Sequence, residues 1–296
     1  MDLQLYLQEK RNYINSVLDK ILPPETTYPE SIHKAMRYSV FAGGKRLRPI
    51  LTIAAAEACG GSADNVIEAA CALELIHTYT LIHDDLPAMD DDDYRRGKLT
   101  CHKVFGEAIA ILAGDALLTY AFQILARASL ENKVNNNINL ENILYIAKSV
   151  GSQGLIGGQV VDLESENKSL NEDILNYIHK NKTAALFKAA IKTGGVVAGA
   201  NEEMLAALDD YAQFYGLAFQ ITDDILDIEG DSKEIGKSVG SDEKNNKLTY
   251  PSLYGIEKSK TMAEDNINKA IESLAIFGTK AEALCEIAKY TLKRTS

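Results

Sequence analysis

Residues 71–83 read CALELIHTYTLIH, and residues 84–103 continue as DDLPAMDDDDYRRGKLTCHK. The first segment is apolar nearly all round, the pattern of a helix buried on every side within a bundle. The second carries six aspartates from Asp84 to Asp93, followed at once by Arg95 and Arg96. The apolar segment therefore predicts the architecture, and its acidic end predicts chemistry.

Outward from this segment the helical period persists. Val66, Ala69, Ala70 and Leu73 fall at i, i+3, i+4 and i+7, as do Ile14, Val17, Leu18 and Ile21. Four of the six prolines lie at or before Pro49, and none lies between Pro87 and Pro251. So long a proline-free reach, rich in Ala, Leu, Ile, Lys and Glu, reads as long helices. No period-2 strands bracketed by turn residues stand out. Loops are expected at 22–30, 60–65, 131–139 and 229–247, none with the make-up of an interdomain linker. The expected fold is all-α, a single large helical bundle over residues 1–296 around a deep central cavity.

A chain of 296 residues with 46% hydrophobic and 25% charged residues is that of a globular protein, and a net charge of −11 argues against nucleic acid as partner. Four scattered cysteines (Cys59, Cys71, Cys101, Cys285) form no CxxC and fit reduced thiols. The N-terminus has no signal-peptide pattern, and the apolar run at 108–126 is broken by Asp115, so no membrane span and a cytoplasmic location are expected.

Two carboxylates about 4 Å apart repel by roughly 4 kcal/mol at an effective dielectric near 20. On a solvated loop six aspartates would cost little, but Asp84 and Asp85 close an apolar helix. A second acidic stretch, FQITDDILDIEGD at 219–231, also ends an apolar helical segment, with Asp223 and Asp227 at i, i+4 on one face. Such hard oxygens suit Mg²⁺, which bridges carboxylates to substrate phosphates. Asp84 and Asp90, six apart, are off-face on an ideal helix, so a kink at Pro87 is expected to swing Asp90 back. Arg95 and Arg96 would meet a diphosphate, as guanidinium forks match phosphate oxygens. Lys45, Arg46 and Arg48, Lys180 and Lys182, and Lys237 and Lys247 are further basic groups placed for phosphate.

In order, GGKRLRP (43–49), the 81–98 segment, Lys182–Thr183, FQITDDILD (219–227) and GKSVGSDEKNNKLTYP (236–251) resemble the signature blocks of the trans-prenyl diphosphate synthases, most of all the bacterial-type farnesyl enzymes. The resemblance implies an isoprenoid synthase fold, a homodimer, and Mg²⁺-dependent condensation of isopentenyl diphosphate with dimethylallyl or geranyl diphosphate. It implies Asp84, Asp90 and Asp223 as metal ligands, supported by Asp85, Asp224 and Asp227. Arg95, Lys182, Lys247 and Lys237 would hold the allylic diphosphate, and Lys45, Arg48, His77 and Arg96 the isopentenyl one. Thr183 and Gln220, with Lys182, would face the reacting carbons, and Lys293 and Arg294 resemble a basic tail closing over the isopentenyl site. Because departing diphosphate can take the final proton, neither His77 nor His83 is read as a general base.

Tyr79 lies five residues before Asp84, about 7.5 Å lower on a regular helix. In the family an aromatic there resembles the farnesyl makers, so Tyr79 is expected as the floor that limits product length, although Thr80 is the residue one turn below Asp84. A geranylgeranyl diphosphate synthase is the alternative within the family. Asp91, Cys101 and Ala184 depart from the usual Asn, Asn and Gly. Outside the class, His77, His83 and Asp84 suggest an HD-type phosphohydrolase, but those histidines share one helix. A P-loop at 230–238 fails on spacing, five residues separating its glycines instead of four. A non-catalytic metal-binding partner subunit would be expected to have lost one aspartate motif, and both are present.

Overall fold

The computed structural model describes residues 1–131, 134–165, 172–230 and 249–294. Helices α1 (Leu3–Ile21), α2 (Glu30–Val40) and α3 (Leu47–Ala58) lead to the central α4 (Ala63–Asp84). A two-residue hairpin, β1 (Tyr94–Arg95) with β2 (Lys98–Leu99), precedes the short α5 (Cys101–Phe105) and the long α6 (Glu107–Leu130). Next come α7 (Asn136–Val150), α8 (Leu155–Ser165) and α9 (Glu172–Ile178), which runs into a π-helical turn over His179–Ala184. The rest is α10 (Ala185–Val197), α11 (Glu202–Glu229), α12 (Tyr250–Tyr254), α13 (Ile256–Ser273), a 3₁₀ turn (Ala275–Ala281) and α14 (Glu282–Thr291). The all-α expectation holds.

Side-chain caps set where helices begin. Asp2 accepts from Leu5 N, and Asn201 from Met204 N. Ser62 with Asn65, and Thr249 with Ser252, cap α4 and α12 reciprocally. The polar stretch expected as a loop at 135–137 is instead a helix start: Asn135 accepts from the amides of Asn137 and Ile138 and opens α7. The hairpin was also unexpected. Its two central residues, Arg96 (φ 54) and Gly97 (φ 74), are both left-handed, as a type I′ connection requires.

α4 is buried on nearly all sides, with Val66, Ala70, Leu73, Leu75 and Ile76 at the core, and it packs on α3, α6 and α10. A smaller cluster of Leu175, Ile221, Ile225, Tyr250 and Ala263 joins α9, α11, α12 and α13. The expectation that no segment could span a membrane is too strict. By length and composition alone α6 qualifies, although it packs along α4 and α7 through Ala110, Ala113, Leu117, Ala121 and Ile124.

Candidate active site

The helix carrying the first aspartate motif does not kink at Pro87; it ends. Asp85 caps α4, and the next residues fold as tight turns, with Leu86 N on His83 O and Met89 N on Leu86 O. These turns bring Asp90 N within 2.9 Å of Asp84 O, so Asp90 does return beside Asp84. Proline explains the stop, since it cannot continue an α-helix without losing a hydrogen bond. The Asp84 carboxyl is pushed up to about 6, first by burial and then by the Asp90 charge, with Lys182 pulling the other way. Carboxylates crowded in this way fit a hard divalent cation, which favours their ionised form.

Asp85 is engaged by Arg95, whose Nε lies 2.6 Å from Oδ1 and whose Nη2 also reaches Asp92 at 3.5 Å. Arg96, the next residue, points elsewhere. It donates to the carbonyl of Gly43 and lies against Gly44, where any side chain would collide with the guanidinium.

Arg96 thereby joins Lys45, Arg48 and His77 around one cavity of about 790 Å³, which Phe219 and Arg294 also line. Arg48 sits 4.4 Å over the Phe187 ring, and burial brings its guanidinium down to about 10. The Lys45 ammonium is lowered by burial and by Arg294, with Asp223 opposing. His77 is driven well below the ordinary imidazole range by burial and by Arg48, Arg96, Arg95 and Arg46, so it stays neutral. Arg46, grouped with these cations in the sequence, has another partner: it is 3% exposed and bonds Glu74 at 2.7 Å, Val40 O and Asn15.

In the second motif Asp223 is exposed, whereas Asp224 and Asp227 are buried at 3% and 5% exposure, so the Asp223–Asp227 pair does not open as a unit to solvent. Asp224 accepts from Gln220 Nε2 at 2.8 Å and Tyr250 N at 3.0 Å, and His179 lies 4.0 Å away. Asp223 is met by Arg294 at 2.5 Å, and that guanidinium stacks 3.9 Å over Phe219. The basic tail thus reaches the cavity through Arg294.

Between the two motifs runs the π-turn. Lys182 acts on Asp84 from one side, while His179 packs edge-on against Tyr250 beside Asp224 on the other. π-Turns of this kind recur at functional sites. Thr183 lies within this turn, next to Lys182. Ala184, which departs from the usual glycine, packs on α11 at Gly216. Lys237 and Lys247 lie outside the described residues.

Tyr79 is 6% exposed and stacks edge-on against His83, whose Nε2 contacts Ile111 O at 3.0 Å. His83 is thus a structural link between α4 and α6. Sequence reasoning missed Asp162, whose carboxylate holds Lys182 at 2.5 Å; an isolated Asp in α8 gave no signal. It also missed a trio of Asp91, Asp93 and His102, the group among the described residues whose metal-capable atoms lie within 4.8 Å of one another. Asp84, Asp90 and Asp223 are apart from it.

An all-helical bundle that sets two aspartate-bearing helix ends beside clustered lysines and arginines defines the isoprenoid synthase class. The chain belongs to the polyprenyl synthetase family, whose model matches residues 29–286. It is 49% identical over 292 residues to a dimethylallyltranstransferase of Fischerella ambigua (strain UTEX 1903), covering 98% of this chain and 83% of that protein. It is 46% identical to a geranylgeranyl diphosphate synthase of Cyanophora paradoxa, covering 100% of this chain and 97% of the relative. The crystal structure of an FPP/GFPP synthase from Zymomonas mobilis superposes with a TM-score of 0.87 at 34% identity, covering 98% of this chain and 99% of that one. The protein is a prenyltransferase.

Proposed function

We propose that this chain, as one polyprenyl synthase domain over residues 1–296, is a Mg²⁺-dependent farnesyl diphosphate synthase acting in the cytoplasm. It would join isopentenyl diphosphate to dimethylallyl and then geranyl diphosphate. The observation that carries this reading is the separation of two cationic groups. Lys45, Arg48, His77 and Arg96 share the cavity beside α3 and α4, while Lys182 and Arg95 belong to the aspartate side. Two cationic sites suit two diphosphates.

In this reading Asp84, Asp90 and Asp223 hold Mg²⁺, with Asp85, Asp224 and Asp227 behind them. Bound there, the metal would offset the charge that develops on the leaving diphosphate. Arg95, Lys182, Lys237 and Lys247 clamp the allylic diphosphate as its C–O bond breaks, where fixed cations act most strongly. Gln220 donates one amide hydrogen to Asp224, and its oxygen would face the carbocation alongside Thr183. The isopentenyl double bond attacks that cation, a proton leaves, and the departing diphosphate accepts it. His77, ringed by arginines, takes no part as a base.

Tyr79, buried on α4 with its ring against His83, serves as the floor and favours a fifteen-carbon product. A twenty-carbon product is the second reading, favoured by the relative of that activity at 46% identity. Incubating purified protein with Mg²⁺, isopentenyl and dimethylallyl diphosphates and measuring chain length by mass spectrometry decides between them. No condensation at all by folded protein would overturn the reading. A homodimer belongs to it too: α6 and α7, packed together, leave Leu112 (53%), Leu140 (66%) and Leu144 (53%) exposed for a second copy.

A further inference from the structure

α8 meets the π-turn through two residues one helical turn apart. At Gly158 the backbones approach so closely that a Cβ would stand 2.3 Å from Lys182 N and 2.8 Å from Asn181 C. Four residues on, and so on the same face of α8, Asp162 reaches the Lys182 ammonium at 2.5 Å. Both side chains are partly buried: Lys182 is 23% exposed and Asp162 14%. Glycine brings the segments together, and the aspartate fixes where the ammonium stands.

That position matters because Lys182 is read above as part of the clamp on the allylic diphosphate. A lysine is a compact charge on a flexible four-carbon stem, and left alone it samples many rotamers. An ammonium that must meet a leaving group gains from being held beforehand, since misplacement by about 1 Å can cost two orders of magnitude in rate.

We propose that Asp162 is a positioning residue for the prenyl transfer: from α8 it fixes the Lys182 ammonium that is to meet the allylic diphosphate. The proposal rests on the role given to Lys182 above.

The test compares Asp162→Asn, Asp162→Glu, Lys182→Met and the Asp162→Asn/Lys182→Met pair in the full-length enzyme with Mg²⁺, varying geranyl and isopentenyl diphosphates separately and recording melting temperature. The expected result is that Asp162→Asn lowers kcat at least about tenfold, leaves the isopentenyl KM within about twofold and leaves the melting temperature unchanged. Asp162→Glu recovers most of the rate, and the double variant is no slower than Lys182→Met. If Lys182→Met is impaired and Asp162→Asn matches the parent, Asp162 does not position Lys182, and the Lys182 role stands. Full activity of Lys182→Met removes the Lys182 role and this proposal with it. Should Asp162→Asn raise both KM values alike and lower the melting temperature, the pair is only a strap between α8 and the π-turn, and the proposal is overturned.

Discussion

The Arg294 guanidinium lies 2.5 Å from Asp223 Oδ1 and donates to Phe219 O at 3.0 Å, which ties the C-terminal end of the described chain to the second aspartate motif. A cation at Asp223 must displace this arginine or share the carboxylate with it. Arg294→Ala should therefore lower the Mg²⁺ concentration for half-maximal rate. Asp223 is nearly half exposed, so the change should be modest, about two- to fivefold. Titrating activity with Mg²⁺ checks it; an unchanged midpoint would mean Asp223 and Arg294 do not compete with metal.

With Tyr79 as the proposed floor, shortening it should open space beneath the first aspartates. Tyr79→Ala should extend the product by one or more five-carbon units, read by mass spectrometry. An unchanged chain length removes Tyr79 from the floor. Its ring also packs on His83, so a fall in melting temperature is expected beside the change in product.

Acid should destabilise the protein through His179, which is buried, and His77, which lines the cavity. His179 is lowered to about 3 and His77 well below 6.5, in each case chiefly by burial. In the unfolded chain both bind protons near pH 6.5, whereas the folded state binds none there. Their contribution is complete above that pH and is lost as pH falls below about 6.5, for His179 down toward about 3 and by up to about 1.4 kcal/mol per pH unit. Urea midpoints between pH 7.5 and 4.5 should fall accordingly, and His179→Asn should flatten the slope.

Arg46 and Glu74 form an ion pair 2% exposed on both sides. Glu74→Ala leaves a buried guanidinium short of its partner and should cost about 3–5 kcal/mol in urea unfolding, with Glu74→Gln milder. A loss below about 1 kcal/mol would show that Asn15 and Val40 O suffice to hold Arg46.

How much of this could be read beforehand depends on how local each signal was. The burial of α4 and the ends marked by Asp84 and Asp223 follow from short patterns along the chain. The grouping of Lys45, Arg48, His77 and Arg96 comes only with the family resemblance, since residue patterns alone join Arg96 to Arg95 and Arg46 to Lys45 and Arg48. The turns after Asp84 were anticipated in outcome but not in form, since proline dictates a break and tertiary contacts decide its shape. Asn135 shows the limit of composition: three asparagines look like a loop until one of them caps a helix. Asp162 was out of reach for a different reason. Its meaning comes wholly from Gly158 and Lys182, twenty residues away from it along the chain in the latter case.

The hairpin at Tyr94–Leu99 fixes which way two neighbouring arginines look. Arg95 ends a strand and faces Asp85; Arg96 occupies the turn and faces the Gly43 carbonyl. Deleting one residue between Asp93 and Arg96 would bring Arg96 into the strand place that faces Asp85, and adding one would carry Arg95 into the turn. This short ribbon works as a ruler, and its length is constrained far more tightly than its exposed position would suggest.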